Sequence, residues 1–160
     1  MWYDRSATLL LCVHYISGWE MKTMSLSASL TVRVPYGATD QMGVVYYANY
    51  LTWFEMGRTE FCREFGMPYT EWEEKGIFMP VVEVRCRYKH PAHYDDLIRV
   101  ETFLKEIKPH SLSFEFKIYR DSDDKLLAEG FTKHGFCDRR GKLVKKPEPF
   151  YSKLMDLLKE

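Results

Sequence analysis

The sequence lacks the features that mark several common protein classes. Its 160 residues carry 23 Lys and Arg against 23 Asp and Glu, so it has no overall charge for binding nucleic acid. The four cysteines are widely spaced and form no C-x-x-C pair, which argues against a disulfide framework or a zinc ribbon and favours a reducing, cytoplasmic compartment. His90 and His93 have no HExxH context, so we expect no bound metal.

The apolar stretch near the start of the sequence has the pattern of neither a membrane-spanning segment nor a cleavable leader. The apolar stretch at residues 7–16 is too short to cross a bilayer, and no A-x-A cleavage site follows it. We therefore expect no stable membrane insertion. Met21 and Met24 stand just before the first regular strand pattern, so residues 1–23 are interpreted as an extension or a misassigned start, and residues 24–160 as one domain. The alternative is a segment docked on that domain.

The hydrophobic periodicity that is present predicts a mixed fold rich in strands. Aromatic residues make up 16% of the chain, and large flat side chains suit half-buried strands. Alternation predicts strands, and apolar residues at three- and four-residue steps predict helices. The predicted order is a strand at 29–36, a loop at 37–43, a long helix at 45–65, a polar helix at 69–75, strands at 82–88, 98–107, 112–119 and 126–138, and a short helix at 149–159.

The long predicted helix has one apolar face and one polar face. Gly57 falls on or near the apolar face, where the missing side chain would let the helix approach a sheet closely. Four consecutive strands must form a long antiparallel sheet that curls, and one apolar helix can fill the curl. The apolar face comprises Tyr47, Tyr50, Leu51, Phe54, Phe61 and Phe65.

Two blocks of the sequence carry a resemblance to a known family. They are VRVPYGATDQMGVVYYANYLTWFEMGRTEF at 32–61 and YKHPAHYDDLIRVETFLKEIKPHSLSFEF at 88–116. The chain resembles the hotdog-fold acyl-CoA thioesterases of the 4-hydroxybenzoyl-CoA thioesterase and YbgC type over about residues 30–145. The resemblance implies an α+β hotdog fold, with a curled antiparallel sheet of about five strands around one long helix. It also implies a thioester hydrolase that releases a free acid and CoA from a small or medium acyl-CoA or an aryl-CoA.

The chemistry of thioester hydrolysis assigns a role to Asp40. Attack on the carbonyl needs a base or nucleophile together with donors for the developing oxyanion. The pattern places Asp40 just before a helix, where its carboxylate could orient a water or attack directly while free backbone N–H groups face the carbonyl oxygen. Gly43 would leave room for the substrate to approach those groups. The structural alternative is that Asp40 only caps a helix or a turn.

The resemblance assigns the oxyanion donor to the backbone N–H of Tyr47, seven residues after Asp40. Many YbgC-like members have His at this position, and the tyrosine here matches the hydroxybenzoyl type instead. The departure removes a second acid or base from the site. Glu55 on the same helix is a further carboxylate, with a solvated or ion-paired role as the alternative.

The CoA end of the substrate requires cations, because its phosphates are anionic. By the same resemblance, Lys108, His110 and Ser111 fall where the hydroxybenzoyl-type enzymes contact the nucleotide phosphates, although Pro109 replaces a basic residue there. The alternative is a polar hairpin turn that binds no ligand. CoA belongs to the substrate, so no separate cofactor is expected.

Other functions remain open at this level. A hotdog dehydratase or hydratase would share the architecture, but such enzymes resemble motifs with a His on the active-site loop, which this loop lacks. A non-catalytic acyl-carrier interaction module is the binding alternative, and the substrate carrier is either CoA or an acyl carrier protein. Since a curled sheet leaves its edges exposed, we expect a homodimer or a homotetramer built from two dimers.

Overall fold

Five antiparallel strands form a single sheet in the computed structural model, which describes residues 26–159. The order across the sheet is β1-β3-β4-β5-β2, and three helices accompany it. This confirms the predicted α+β hotdog architecture, while the interpretation of residues 1–23 lies outside the described residues. The strands are β1 Ser27–Arg33, β2 Val81–Tyr88, β3 Leu97–Lys108, β4 Ser111–Arg120 and β5 Lys125–Gly135; the helices are α1 Asn49–Glu64, α2 Tyr69–Glu74 and α3 Phe150–Leu157.

Helix α1 fills the curl of the sheet and supplies much of the core. Its buried side includes Trp53, Phe54 and Phe61, and the ring of Phe54 stacks on that of Phe116 in β4 at 4.6 Å. Opposite Phe54, β5 has Gly130, where a Cβ would lie only 2.1 Å from Phe54 Cζ. The missing side chain in β5 therefore makes room for the aromatic ring of the helix.

Gly57 confirms the expected close approach of α1 to the sheet. It is buried, and a Cβ added there would lie 2.4 Å from Thr102 Oγ1 and 3.0 Å from Val100 Cγ1 in β3. Both distances are shorter than normal van der Waals contact, so the helix packs against β3 at a separation that only glycine allows.

The start of the long helix was predicted too early. Helix α1 begins at Asn49 rather than at residue 45, because Val45 bridges to Thr39 and donates its N–H to Ala92 O at 2.8 Å, which keeps the preceding backbone extended. Tyr47, assigned to the apolar face, therefore precedes the helix and is 59% exposed.

The first and last strands also end earlier than predicted. β1 stops at Arg33, and Tyr36, predicted to continue it, lies in a single turn of 3₁₀ helix and is 78% exposed. β5 ends at Gly135 rather than at 138, because Cys137 bridges separately to Phe78 and Leu143.

Strand β2 differs from its predicted half-buried character. Val82, Val84 and Tyr88 alternate as expected, yet all three are exposed. β2 is an edge strand, and α1 packs mainly on β1 and β3 at the other side of the sheet. The apolar face of β2 is consequently left without a cover in the single protomer.

We predict that Gly57→Ala destabilises the protein, although alanine is the better helix former by about 1 kcal/mol. Overpacking against Thr102 and Val100 should exceed this gain, with a net loss of roughly 1–2 kcal/mol in the free energy of unfolding by urea. Gly37→Ala is the matched control, because a Cβ there meets nothing within 4 Å. An unchanged or higher midpoint for Gly57→Ala would contradict the tight packing.

His134 is a buried histidine of β5 in the same core. Its Nε2 lies 2.8 Å from Thr132 Oγ1 and its Nδ1 3.2 Å from Met79 O. Burial, reinforced by the positive charge of Arg58, lowers the pKa of His134 from 6.5 to about 4. The ring is therefore neutral in the folded protein at pH 7.

This pKa predicts a pH dependence of stability. Between about pH 4 and 6.5 the unfolded chain binds a proton at His134 that the folded chain excludes, so stability falls as the pH drops through this window, by on the order of 3 kcal/mol at most. Urea unfolding at several pH values should show a shallower slope for His134→Gln than for wild type. His90→Gln, at an exposed histidine, should keep the wild-type slope; equal slopes for all three proteins would show that His134 does not carry the effect.

Candidate functional site

Asp40 lies at the tip of a short loop whose two arms run side by side. Tyr46 N donates to Ala38 O at 2.9 Å, and Asp40 N donates to Val44 O at 2.9 Å. The Asp40 carboxylate accepts the backbone N–H of Met42 on Oδ1 at 2.8 Å. Gly43 has a φ of +75°, a left-handed conformation that glycine adopts without strain. These bonds fix the orientation of the carboxylate in the loop.

The structure revises the position of Asp40 relative to the helix. The residue does not immediately precede α1, whose N-cap is Ala48, and so Asp40 does not cap that helix. Its carboxylate closes its own turn through Oδ1, and Oδ2 accepts no hydrogen bond from residues 26–159. One oxygen is thus used to hold the side chain, and the other is left for a ligand.

The loop brings Tyr47 back beside the segment that carries Asp40. Asn49 Nδ2 donates to Ala38 O at 2.8 Å, and the Tyr88 hydroxyl of β2 donates to Tyr47 O at 3.0 Å. Within the described part of the chain, the backbone N–H groups of Tyr47 and Ala48 have no acceptor. They are available donors on the same loop as the Asp40 carboxylate, and acyl transfer requires both kinds of group.

Sequence reasoning missed Tyr88 as a member of this site. Partial desolvation of its hydroxyl, together with a hydrogen bond to Cys86, raises the pKa of Tyr88, and the hydroxyl donates to Tyr47 O. Its ring meets Tyr47 at 6.5 Å and Tyr50 at 5.0 Å, both edge to face. The only signal in the sequence is the position of Tyr88 at the end of a strand, and strand pairing alone does not reveal its contact with a distant loop.

An exposed apolar strip leads away from the Tyr47 N–H along α1 and β2. Tyr47, Leu51, Val84 and Tyr88 are all exposed in it, although each is apolar or aromatic. Such a strip is suited to an acyl chain or an aryl group, because it offers apolar surface at low desolvation cost.

Glu55 lies farther along α1 and is exposed. Thr59 Oγ1 donates to its Oε1 at 2.8 Å, and Arg58 Nη2 lies 3.8 Å away. These contacts agree with the ion-paired interpretation. The Arg58 side chain itself is buried, with its guanidinium over the Tyr69 ring at 4.6 Å.

The residues expected at the CoA end lie far from Asp40 in the same protomer. The Asp40 loop packs beside residues 92–96, next to the start of β3, while Lys108, His110 and Ser111 are at its other end. Twelve residues of strand separate the two groups, or about 35 Å at the rise of an extended chain. Lys108 and His110 are exposed, and Lys108 pairs with Glu106 at 3.0 Å, whereas Ser111 is only 4% exposed.

The segment after β5 adds cations that sequence reasoning missed as candidates for the CoA end. Phe136 N donates to His110 O at 3.0 Å and Lys146 N donates to Pro109 O, so the segment runs beside the β3–β4 turn. The sequence signal for these cations is the basic run DRRGKLVKK at 138–146. Its exposed cations are Arg139, Arg140, Lys142, Lys145 and Lys146.

Other features of the surface bear on the alternatives. A depression of about 990 Å³ lies on the face of the sheet away from α1, and Asp40 does not line it. In residues 26–159, no three His, Cys, Asp or Glu side chains are grouped so that they could hold a metal ion. Over the same residues, no helix is long and apolar enough to cross a membrane.

Comparisons with known proteins identify the family. Residues 34–156 match the thioesterase-like superfamily. The acyl-CoA thioesterase YbgC of Haemophilus influenzae is 37% identical over 123 residues, which are 76% of this chain and 87% of the relative. The putative acyl-CoA thioesterase YneP of Bacillus subtilis is 38% identical over 93 residues, which are 58% of this chain and 67% of the relative.

A solved structure agrees with these relatives. The gentisyl-coenzyme A thioesterase BH1999 superposes with a TM-score of 0.71 at 28% identity, covering 76% of this chain and 97% of that structure. The family match at residues 34–156 includes α1, the strands β2 to β5 and the Asp40 loop, and β1 precedes it. The chain belongs to the thioesterase-like superfamily and is a thioester hydrolase with the hotdog fold.

Proposed function

We propose that the protein hydrolyses small or medium acyl-CoA or aryl-CoA thioesters, with Asp40 as general base or nucleophile. The observation that carries this proposal is the pairing of Asp40, held by the Met42 N–H, with the unengaged N–H groups of Tyr47 and Ala48. The names of the relatives support the substrate class, since YbgC and YneP are described as acyl-CoA thioesterases and BH1999 as a gentisyl-CoA thioesterase.

The proposed reaction uses two groups of the loop, the carboxylate of Asp40 and the backbone N–H of Tyr47. Asp40 either takes a proton from a water that attacks the thioester carbonyl or attacks the carbonyl itself, and water then hydrolyses the resulting anhydride. The negative charge that develops on the carbonyl oxygen is stabilised by the N–H of Tyr47. The C–S bond breaks, the thiol of CoA leaves with a proton, and the acyl group departs as the free acid.

The position of Tyr47 depends on its neighbours. The hydroxyl of Tyr88 in β2 donates to the Tyr47 carbonyl, and the peptide N–H of Tyr47 has no acceptor among residues 26–159. Gly43 keeps the approach to Asp40 free of a side chain. Lys108 and His110 are proposed to contact the phosphates of CoA, together with the adjacent Lys145 and Lys146.

We predict that Asp40→Asn lowers kcat for acyl-CoA hydrolysis by roughly 10²-fold or more, because the amide keeps the size of the side chain but removes its basicity. Thiol release from benzoyl-, short-chain and long-chain acyl-CoA esters measures the effect. Asp123→Asn is the matched control, since Asp123 also accepts a backbone N–H, that of Lys125, in a surface turn. Full activity of Asp40→Asn with an unchanged melting temperature would refute the mechanism.

We further propose that the working unit is a dimer joined through β2. β2 is an edge of the sheet, and its Val82, Val84 and Tyr88 expose apolar surface that an isolated protomer leaves in water. Edge strands with this character pair readily with a second chain. We expect a twofold dimer, the commonest form of homo-oligomer, in which the two β2 strands run antiparallel.

Antiparallel pairing of β2 would also bring the Asp40 loop of one protomer close to the cations near the β3–β4 turn of the other. Tyr88 marks the end of β2 that contacts Tyr47, and Val81 marks the other end, which pairs with His134 near the β3–β4 turn. In the dimer, the Val81 end of one strand lies beside the Tyr88 end of its partner. The cations of one protomer would then approach Asp40 of the other, whereas within one chain the length of β3, up to about 35 Å along the strand, lies between them.

We predict that Val82→Glu converts the dimer to monomer and abolishes most of the thioesterase activity, even though it touches neither the Asp40 loop nor the exposed apolar strip. Buried against a partner strand, the new carboxylate would be desolvated without a counter-ion. Sedimentation velocity at micromolar concentration and thiol release measure the two effects. Leu158→Glu, at another exposed apolar residue, should leave both unchanged. A wild-type protein that sediments as a monomer while fully active would rule out a site formed by two protomers. A tetramer of two such dimers would agree with the proposal.

A further inference from the structure

The exposed apolar strip along α1 ends at a charged residue. Tyr47 and Leu51 belong to the strip, and Glu55 follows one helical turn after Leu51 on the same side of the helix. All three are exposed. At the rise of an α-helix, the eight residues from Tyr47 to Glu55 span about 12 Å. An acyl group that starts at the Tyr47 N–H and runs along this side of α1 therefore meets a carboxylate.

Two neighbours hold the Glu55 carboxylate in place. Thr59 Oγ1 donates to Glu55 Oε1 at 2.8 Å, and Arg58 Nη2 lies 3.8 Å from the same oxygen. An exposed glutamate ordinarily changes rotamer freely and moves aside for a ligand. Here, moving the carboxylate would break a hydrogen bond and remove the negative charge nearest to Arg58.

Arg58 depends on this carboxylate because its own charge is buried. Its side chain is only 9% exposed, and its Nε and Nη1 have no hydrogen-bond partner among residues 26–159. Within the same range, Glu55 is the only acidic residue with an oxygen within 4 Å of the guanidinium. The Tyr69 ring, 4.6 Å away, gives a second favourable contact. A buried cation that lost its counter-ion would be strongly destabilised, so the pair resists separation.

We propose that Glu55, Arg58 and Thr59, which we name the acyl stop, form the far end of the acyl site and set the longest acyl chain that is hydrolysed efficiently. This inference rests on the proposed function. Glu55 is the residue that determines the specificity, because it meets the end of the chain. Arg58 and Thr59 are positioning residues that act through Glu55.

The length of the strip translates into a number of carbons. A fully extended chain advances about 1.3 Å per carbon, from a C–C bond near 1.5 Å and a near-tetrahedral angle, so about 12 Å accommodates roughly nine carbons. Each methylene placed on the strip contributes about fourfold to kcat/KM. A methylene beyond Glu55 would instead strip water from a fixed carboxylate, which is unfavourable.

The surface beyond the acyl stop offers a longer chain no compensation. Arg63, one turn after Thr59, is exposed and pairs with Glu60. Continued extension along α1 therefore places hydrocarbon against charged groups.

The test is the dependence of kcat/KM on acyl length. Thiol release is measured for straight-chain CoA esters from butanoyl to hexadecanoyl, each held below its micelle concentration, with benzoyl-CoA as the aryl reference. For the wild type we expect kcat/KM to rise up to roughly nine carbons and then to fall. In Glu55→Leu the ratio of kcat/KM for tetradecanoyl-CoA to that for octanoyl-CoA should rise at least about tenfold, because leucine extends the strip by one turn.

Two milder variants decide the question if loss of the counter-ion of Arg58 unfolds Glu55→Leu. Glu55→Gln keeps the shape of the side chain and removes its charge, and Thr59→Val removes the hydrogen bond while Arg58 keeps its counter-ion. Each should raise the same ratio about threefold. Glu60→Leu is the matched control, since Glu60 also lies on α1 and pairs with an arginine three residues on, and it should keep the wild-type ratio.

Three results would overturn the proposal. They are an unchanged ratio in every folded variant of Glu55 and Thr59, an equal rise in Glu60→Leu, and a wild type that hydrolyses hexadecanoyl-CoA as efficiently as octanoyl-CoA. The proposed function would survive any of them, and it fails only if the wild type hydrolyses neither benzoyl-CoA nor a straight-chain ester of any length.

Discussion

The close contact between α1 and the concave face of the sheet is the constraint on which the rest of the molecule depends. Gly57 lets the backbone of α1 approach β3, and Gly130 in β5 leaves room for the ring of Phe54. Helix α1 begins at Asn49, directly after the segment that carries Asp40 and Tyr47. The preceding loop is then pinned by hydrogen bonds to residues 92–96, and this fixes Asp40 relative to Tyr47.

The same packing leaves one side of the sheet uncovered. Because α1 lies mainly over β1 and β3, the edge strand β2 and the exposed side of α1 face water with Leu51, Val84 and Tyr88. Surface of this kind is unfavourable in an isolated chain, since apolar area exposed to water lowers stability. A second protomer and an acyl group can both cover it, so the proposed site and the proposed interface share one physical origin.

Charge is distributed along the sheet in a complementary way. Asp40, the proposed catalytic carboxylate, is near one end of β3, and the cations of the β3–β4 turn and of residues 139–146 are near the other. A long, extended anionic substrate needs both, and the length of the strand prevents one protomer from offering both to the same molecule. In the proposed twofold dimer, the catalytic carboxylate of one chain would lie near the cations of the other chain, which would bind the phosphates of CoA.

The sequence by itself determined the order of the elements, the amphipathic character of α1 and the close packing at Gly57, and it carries the motif on which the proposed role of Asp40 rests. These depend on local periodicity, on turn residues and on a motif, all of which are read along the chain. The tertiary structure alone decided that α1 starts at Asn49, that Tyr88 holds the Tyr47 carbonyl, that β2 is an uncovered edge, and that Lys108 lies far from Asp40. Each of these depends on contacts between residues distant in sequence, and periodicity carries no information about which edge a helix leaves exposed or which strand end meets a loop.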